Sequence, residues 1–285
     1  MQSLVLVMVV LSLCGQNLVN KFYNQNSSNQ NVYIHSGVCS IATMLFFMII
    51  SAGEIDFNKA VLPYSCAFAV AFGGAILFIT LAIRYGQLSL SALFNAYALL
   101  IPTAAGVLLW NEKVSICLIL GVICLIVSLF LIYFKSEKKI FTLKWLIFAF
   151  LAFVCNGMCS VIQRLQQIEF NNKYSSYFMI VALFISAIIM LILGKLTVKN
   201  DGMGKSLKHN WRYGIIFGIL NGLANYGVIK LNEVKFPASI MFPIISAGSI
   251  ILTFACSFIL FKEKLSKIQL IGAGIGIMAI IFFCM

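Results

Sequence analysis

Two stretches of the sequence decide the fold, because each reads as a pair of membrane helices joined at a Glu-Lys turn. The first is SLSALFNAYALLIPTAAGVLLWNEKVSICLILG (89–121), and the second is PASIMFPIISAGSIILTFACSFILFKEKLSKIQLIG (237–272). Glu112 precedes Glu263 by 151 residues, and the same spacing holds for the Lys and the Gly that follow. A match at this distance in a chain of 285 residues predicts two related units.

The composition of the whole chain places both units in a membrane. Hydrophobic residues make up 62% and charged residues 10%, whereas a soluble globular domain is about 45–50% apolar and about 25% charged. Apolar runs of about 20 residues recur, which is the length that crosses a bilayer core as a helix. The net charge of +12 lies mainly between these runs, where Lys and Arg orient membrane helices. We therefore predict a multi-pass protein of the cytoplasmic membrane that does not bind nucleic acid.

The apolar runs divide into ten predicted membrane helices, five on each side of a basic linker, KSEKK (135–139). Residues 1–137 then form the first five-helix unit and residues 138–285 form the second. Because five is odd, the second unit enters the membrane with the opposite orientation, as in the inverted repeats of many transporters. The beginnings of the units also match, GQNLVNKF (15–22) against MCSVIQRL (158–165). The ten predicted helices span 3–20, 32–52, 63–84, 88–110, 114–134, 143–163, 176–196, 211–231, 236–261 and 267–285.

The end of each unit resembles the drug/metabolite transporter superfamily, specifically its EamA-type ten-helix transporters. The residues that carry the resemblance are WNEKVS (110–115) and FKEKLS (261–266), each followed by an apolar helix that contains Gly. The commoner family form has Gly before the Glu, where this chain has Asn111 and Lys262. The resemblance implies a central cavity lined by predicted helices 1, 3, 4, 6, 8 and 9, with predicted helices 5 and 10 packed outside.

Polar residues recur along one face of the helices that the resemblance places inside. Asn156, Ser160 and Gln163 follow the helical period, and Asn221 and Asn225 lie one turn apart. Because polar groups that face lipid are costly, such faces turn toward protein or water. Each amide either binds a solute or only bonds a neighbouring helix, which contributes about 0.6 kcal/mol on average. The candidate substrate-binding residues are Asn17, Asn95, Tyr97, Asn156, Ser160, Gln163, Asn221, Asn225 and Ser246.

Acidic residues are absent from the middle of the predicted helices. All eight fall in loops or at helix ends, so we expect no carboxylate proton relay. We predict a secondary transporter that moves a neutral or zwitterionic metabolite, such as an amino acid or a nucleoside-like compound, by alternating access. The alternative is a multidrug or quaternary-cation transporter whose aromatic cage is formed by Phe94, Tyr97, Tyr177 and Tyr226.

Two further features of the predicted helices bear on the site. Pro102 and Pro243 lie within predicted helices 4 and 9 and should kink them, since proline cannot donate its backbone hydrogen bond. The break either serves as a ligand site or acts as a hinge. Arg84, Lys230 and Lys235 either reach the lipid headgroups or face the cavity, where they would favour an anionic substrate.

Other functional classes find less support in the sequence. An intramembrane enzyme would need a nucleophile with a base or a metal cluster, yet the chain has two His and neither HExxH nor GxSxG. A non-transporting receptor would not explain polar faces in both units. We therefore expect no enzyme activity, no cofactor and no metal. The expected partners are a small-molecule substrate and the lipid bilayer, and a homodimer through the outer helices stays open. The distribution of Lys and Arg favours termini outside the cell, whereas the resemblance implies cytoplasmic termini.

Overall fold

The computed structural model contains helices and no strand among the residues that it describes, which are 2–26, 31–51, 56–110, 115–134, 142–171, 173–197, 202–234, 238–263 and 266–283. The predicted all-helical class is confirmed over these residues. The helices are α1 (Gln2–Asn26), α2 (Val32–Ile50), α3 (Leu62–Tyr85), α4 (Leu88–Ala96), α5 (Leu100–Trp110), α6 (Ile116–Phe134), α7 (Leu143–Glu169), α8 (Ser175–Thr197), α9 (Gly202–Glu233), α10 (Ala238–Phe261) and α11 (Lys267–Phe283).

Most of these helices have the length and composition of membrane spans. In the described part of the chain, eight helices are long and apolar enough to cross a bilayer, one of them formed by α4 together with the start of α5. Two shorter apolar helices, Ile119–Ser128 and Lys267–Phe282, lie where predicted helices 5 and 10 were placed. The apolar surface that the protein exposes is therefore suited to lipid rather than to water.

Three helices run further than the apolar runs that predicted them. α1 continues to Asn26 instead of ending near residue 20, α7 continues to Glu169, and α9 already begins at Gly202. Tertiary hydrogen bonds stabilise the extension of α1. Asn24 Nδ2 donates to the carbonyl of Thr80 (2.8 Å), and Asn24 Oδ1 accepts from Arg84 Nε (3.0 Å).

Predicted helix 4 is interrupted, as the position of Pro102 indicated. α4 ends at Ala96, a 3-10 turn covers Tyr97–Leu99, and α5 begins at Leu100. Pro102 thus lies in the first turn of α5, where its missing N–H is not needed within the helix. It cannot donate to the carbonyl of Ala98, four residues earlier. By contrast, α10 runs through Pro243 as one continuous helix.

The two predicted units interleave instead of lying side by side. α1 packs on α9 and α10, α2 on α8 and α9, and α3 on α7 and α8, whereas α6 pairs with α11. The seam between α2 and α9 is close because α9 carries glycines at every fourth residue. A Cβ at Gly214, Gly218 and Gly222 would overlap Val38, Ala42 and Phe46 of α2, respectively. The predicted role of these glycines in helix packing is confirmed.

The end of α10 has a backbone conformation that favours Gly, the residue that the resemblance led us to expect before the repeated Glu. Lys262, the first residue after the helix, has a φ of +50°, in the left-handed region that Gly adopts without strain. The turn then brings the N–H of Glu263 back to the carbonyl of Ser257 (3.3 Å). A side chain at this position therefore costs about 1 kcal/mol that Gly would avoid. The equivalent Asn111 lies outside the described residues.

The carboxylate of Glu263 ties α10 to two helices of the other unit. Its Oε1 accepts from Lys21 Nζ on α1 (2.9 Å) and from the N–H of Leu88 at the start of α4 (2.9 Å). Its Oε2 accepts from the N–H (3.3 Å) and hydroxyl (3.1 Å) of Ser89 and from the hydroxyl of Ser257. A carboxylate is favourable here because it meets the positive end of the α4 dipole.

Glu263 lies beyond the membrane-spanning part of α10, and its surroundings favour the ionised form. Burial alone would raise the pKa of Glu263. The hydrogen bonds from Ser257, Leu88 and Lys21, together with the positive charge of Lys21, outweigh that effect and lower the pKa below its ordinary value. The Glu263 tie, as we call this set of contacts, is thus an ionised link that joins the end of α10 to α1 and to the start of α4.

Candidate functional site

A cavity of about 300 Å³ lies between the two predicted units. Residues of α1, α3, α4, α7, α9 and α10 line it, together with Ala98 from the turn after α4. These are the helices that the family resemblance implied, and neither α6 nor α11 contributes to the lining that the structure describes. The volume is at the lower end of the range of about 300–1,000 Å³ that is typical of small-molecule sites.

One wall of the cavity is apolar and belongs to α3. Phe68 and Phe72 stack with ring centroids 5.7 Å apart and an angle of 17° between the rings. Ala75, Ile76 and Ile79 continue this wall along α3. No side chain with a hydrogen-bonding group comes from this helix to the described lining, so α3 offers a solute only van der Waals and hydrophobic contacts.

The remaining helices supply amides and hydroxyls. Eight of the nine predicted site residues line the cavity, and no Lys, Arg, Asp or Glu occurs in the described lining. The structure therefore brings together polar side chains from predicted helices 1, 4, 6, 8 and 9 around an uncharged space. The eight residues are Asn17, Asn95, Asn156, Ser160, Gln163, Asn221, Asn225 and Ser246.

Tyr97 is the predicted site residue that the structure places elsewhere. Its side chain is 1% exposed, and its hydroxyl lies 2.6 Å from the hydroxyl of Ser128 on α6. Ser128 in turn donates to the carbonyl of Gly272 (2.7 Å). Successive residues of a helix are about 100° apart, so Tyr97, two residues after Asn95, points away from the face that carries Asn95 and toward α6 and α11. The helical period of the sequence alone could have separated these two residues.

The predicted aromatic cage is not formed at this cavity. Phe94 and Tyr97 pack in a separate apolar cluster with Trp145. Tyr177 makes an edge contact with Phe57 (ring centroids 5.1 Å apart). Tyr226 lies beneath the ammonium of Lys230 (5.5 Å). None of the four cage residues belongs to the described lining.

A chain of three amides crosses the cavity from α9 to α1. Asn225 Nδ2 donates to the backbone carbonyl of Asn221 (2.9 Å) and to its side-chain Oδ1 (3.1 Å). Asn221 Nδ2 donates to Gln16 Oε1 (3.0 Å). Asn225 and Asn221 were predicted, but Gln16 was missed. Its position one helical turn before Asn20, on the same face of α1, is the signal that could have found it.

A second cluster fixes the end of α1 beneath the cavity. Asn20, which is 1% exposed, places its Oδ1 3.2 Å from the hydroxyl of Thr80 and 3.3 Å from Nε2 of His35. The ring of His35 stacks on Tyr23 (3.9 Å between centroids, 8° between planes). Next to it, Asn17 makes a long contact with Thr253 of α10 (3.5 Å). Asn17 and Asn20 both line the cavity, so these contacts fix α1 at its wall.

Two buried polar atoms of the lining have no hydrogen-bond partner among the described residues. They are Nε2 of Gln16 and Oδ1 of Asn95. A buried polar group without a partner costs about 1–3 kcal/mol. One is a donor and the other an acceptor, so the cavity is suited to a solute that carries both kinds of group.

Comparison with known proteins agrees with this architecture. A model of the EamA-like transporter family matches residues 143–285. A solved structure titled only "Crystal structure of protein" superposes with a TM-score of 0.62 and 11% identity, over 99% of this chain and 95% of that chain. At this identity the superposition shows a shared fold alone. No curated protein matches the sequence. Since the family match spans half of the chain, the protein belongs to the EamA-like transporter family of the drug/metabolite transporter superfamily and is a multi-pass membrane protein.

Proposed function

We propose that the protein is a secondary transporter that moves a small polar organic metabolite, neutral or zwitterionic, across the cytoplasmic membrane by alternating access. An amino acid or a nucleoside-like compound has the required chemistry. The observation that carries the proposal is the uncharged cavity between the units, with an apolar wall on α3 and amides on the other helices. The transporter family of the chain supports the same class of function.

The absence of charge from the described lining bears on the class of solute. An ion with net charge would lose its hydration in the cavity without meeting a counter-ion, which is costly in a medium of low polarity. Amides and hydroxyls can replace the hydration of neutral polar groups, and the paired charges of a zwitterion leave no net charge to compensate. The α3 wall suits the apolar part of such a solute.

The packing of the helices supports two inverted five-helix repeats. In that arrangement α7 is the counterpart of α1, and α9 and α10 are the counterparts of α3 and α4. α1 packs on α9 and α10, and α7 correspondingly packs on α3 and α4. A pseudo-two-fold axis in the membrane plane produces such reciprocal pairs, as in other transporters with inverted repeats.

The two ends of the cavity differ, which supports alternating access. At one end Asn20 is 1% exposed above the Glu263 tie. Toward the other end lie the counterparts of Asn17 and Asn20 in the second unit, Ser160 and Gln163, of which Ser160 is exposed and Gln163 half-buried. This difference in exposure favours a cavity that is closed near Asn20 and accessible near Ser160. Exchange of these arrangements between the units would expose the cavity to the opposite side of the membrane.

Flux measurements test the proposal. Purified protein is screened against metabolites by thermal shift, and compounds that stabilise it are measured by counterflow in proteoliposomes. We expect flux above protein-free vesicles, and a reduced flux for Asn156→Ala because that side chain lines the cavity. Cys155→Ala is the matched control, since the neighbouring Cys155 faces Gly74 of α3 instead. Absence of flux, or pH-coupled transport of an organic cation that depends on one acidic residue, would overturn the proposal.

A further inference from the structure

The amide of Gln16 is the most constrained polar group of the cavity. Its side chain is 8% exposed and lines the cavity. Its Oε1 accepts from Asn221, and its Nε2 is buried without a partner among the described residues. An N–H group in this situation is stabilised only when something in the cavity accepts its hydrogen bond.

The orientation of this amide follows from the chain of hydrogen bonds that ends on it. A backbone carbonyl can only accept, so the contact with the carbonyl of Asn221 requires the NH₂ group of Asn225. The second N–H of that group donates to Asn221 Oδ1, which turns Asn221 Nδ2 toward Gln16. Gln16 must then present its oxygen to Asn221, which leaves its NH₂ group without a partner among the described residues, on a side chain that lines the cavity. Each amide is fixed by the one before it.

We propose that Gln16 donates a hydrogen bond to a carbonyl or carboxylate oxygen of the transported solute, and that Asn221 and Asn225 are positioning residues that hold its amide in the donating orientation. This inference rests on the proposed transport function and assigns part of its specificity. Asn95 Oδ1, the other unpartnered buried atom of the lining, accepts from an N–H group of the solute. The solute class is therefore a neutral or zwitterionic compound that carries an N–H group together with a carbonyl or carboxylate oxygen.

Three probes with one alkyl chain isolate the oxygen-bearing group. L-Leucine carries a carboxylate, L-leucine methyl ester carries a neutral carbonyl that only accepts, and isoamylamine carries neither. All three have the same amine and the same branched chain for the α3 wall. We measure their equilibrium binding to the purified full-length protein in detergent. Binding is measured at about pH 6, below the pKa of an α-amino group, so that the ester and isoamylamine carry the same charge and their ratio reports hydrogen bonding. Comparison of leucine with the ester then separates carboxylate from carbonyl recognition.

With the wild-type protein we expect the ester or leucine to bind about tenfold more tightly than isoamylamine, the ratio that one hydrogen bond of about 1.4 kcal/mol gives. Gln16→Met preserves the length of the side chain and should remove the preference. Equal binding of the three probes to the wild type, binding of none, or a preference that survives in Gln16→Met would overturn the inference.

Asn221 provides the test of positioning. Asn221→Asp in its ionised form still accepts from Asn225 but can no longer donate to Gln16. The Gln16 amide should therefore turn over, donate to the new carboxylate and present its oxygen to the cavity. We expect the preference for the ester over isoamylamine to be lost, although Gln16 itself is unchanged. Asn221→Ala leaves Gln16 able to donate to the solute, and the preference should persist whatever the absolute affinity. If the two variants behave alike, Asn221 has only a structural role and the positioning claim is wrong.

A negative result in the binding assay and a negative result in the flux assay refute different proposals. Binding of the probes is measured without a membrane and needs no transport. Flux of other solutes without discrimination among the three probes would overturn the role of Gln16 and leave the transport function intact. Discrimination that depends on Gln16 without flux of any bound compound would refute transport and leave the binding site in place.

Discussion

Replacing Glu263 by Gln perturbs the Glu263 tie without changing the size of the side chain. The carboxylate accepts hydrogen bonds on both oxygens, from Lys21 and Leu88 on one side and from Ser89 and Ser257 on the other. Gln has one acceptor oxygen, so its NH₂ group must face the donors of one side. The better arrangement turns the NH₂ group toward the serines, because a hydroxyl can also accept whereas a backbone N–H cannot.

The magnitude follows from the group that is left without a partner. Ser89 is 1% exposed, and loss of the partner of its backbone N–H costs about 1–3 kcal/mol. The ion pair with Lys21 is replaced by a bond to a neutral amide, which removes about 1 kcal/mol at a partly exposed site. We therefore expect Glu263→Gln to lower the free energy of unfolding by about 3 kcal/mol in total.

The assay is SDS-induced unfolding of the purified protein in mixed micelles, followed by tryptophan fluorescence. Lys21→Met is the control, because it removes the cation and leaves the contacts of Glu263 with α4 in place. We expect this control to lose about 1 kcal/mol. Equal losses in the two variants, or a loss below about 1 kcal/mol for Glu263→Gln, would refute the argument that the contacts with the start of α4 dominate.

The pH dependence of the same pair gives an independent check. The folded-state pKa of Glu263 is lowered, so its contribution to stability is fully present above the ordinary pKa of a glutamate. That contribution is lost as the pH falls through the lowered folded-state value, because the unfolded state then binds the proton first. The stability difference between wild type and Glu263→Gln should therefore shrink on acidification. A difference that grows at low pH would contradict the assigned direction.

Three further substitutions have expected outcomes in the same unfolding assay. Lys262→Gly should stabilise the protein by about 1 kcal/mol, because it relieves the left-handed conformation at the end of α10; no gain would mean that this turn carries no strain. Gly218→Ala should cost about 1–3 kcal/mol, since its Cβ would overlap Ala42. Gly274→Ala is the matched control, with no atom within 4 Å of its Cβ, and it should not destabilise; equal losses in the two would refute the packing argument. Tyr97→Phe should lower the free energy of unfolding by about 1 kcal/mol, because it removes the hydrogen bond to Ser128, and it should leave the affinity for the solute unchanged. A weakened affinity would show that Tyr97 contacts the solute after all.

The positions of the helices could be predicted from the sequence because lipid demands long apolar runs. The same criterion fails at helix ends, since it detects only the apolar part of a helix. Asn24 is polar and lay beyond the predicted end of helix 1, yet its hydrogen bond from Arg84 stabilises the last turns of α1. Such a bond joins residues far apart in the sequence and cannot be read from either segment alone.

The candidate site was predictable to the extent that polar residues follow a helical period. Asn156, Ser160 and Gln163 lie on one face of α7 for that reason, and all three reach the cavity. Tyr97 was misplaced because it lies two residues after Asn95, about 200° away around a helix, so the period that predicts the site already put it on another face. Gln16 was missed because its importance lies in its unpartnered nitrogen, which depends on contacts with α9.

The uncharged lining of the cavity has an electrical consequence. Moving one elementary charge through a potential of 100 mV changes the free energy by about 2.3 kcal/mol. Under the proposed mechanism, the described lining carries no formal charge through the field when the empty cavity reorients. The membrane potential then acts only on the cargo and on any ion that accompanies it. The electrical current across the proteoliposome membrane would thus equal the charge of the cargo together with any ion that accompanies it. A neutral solute that moves without an ion would produce no current.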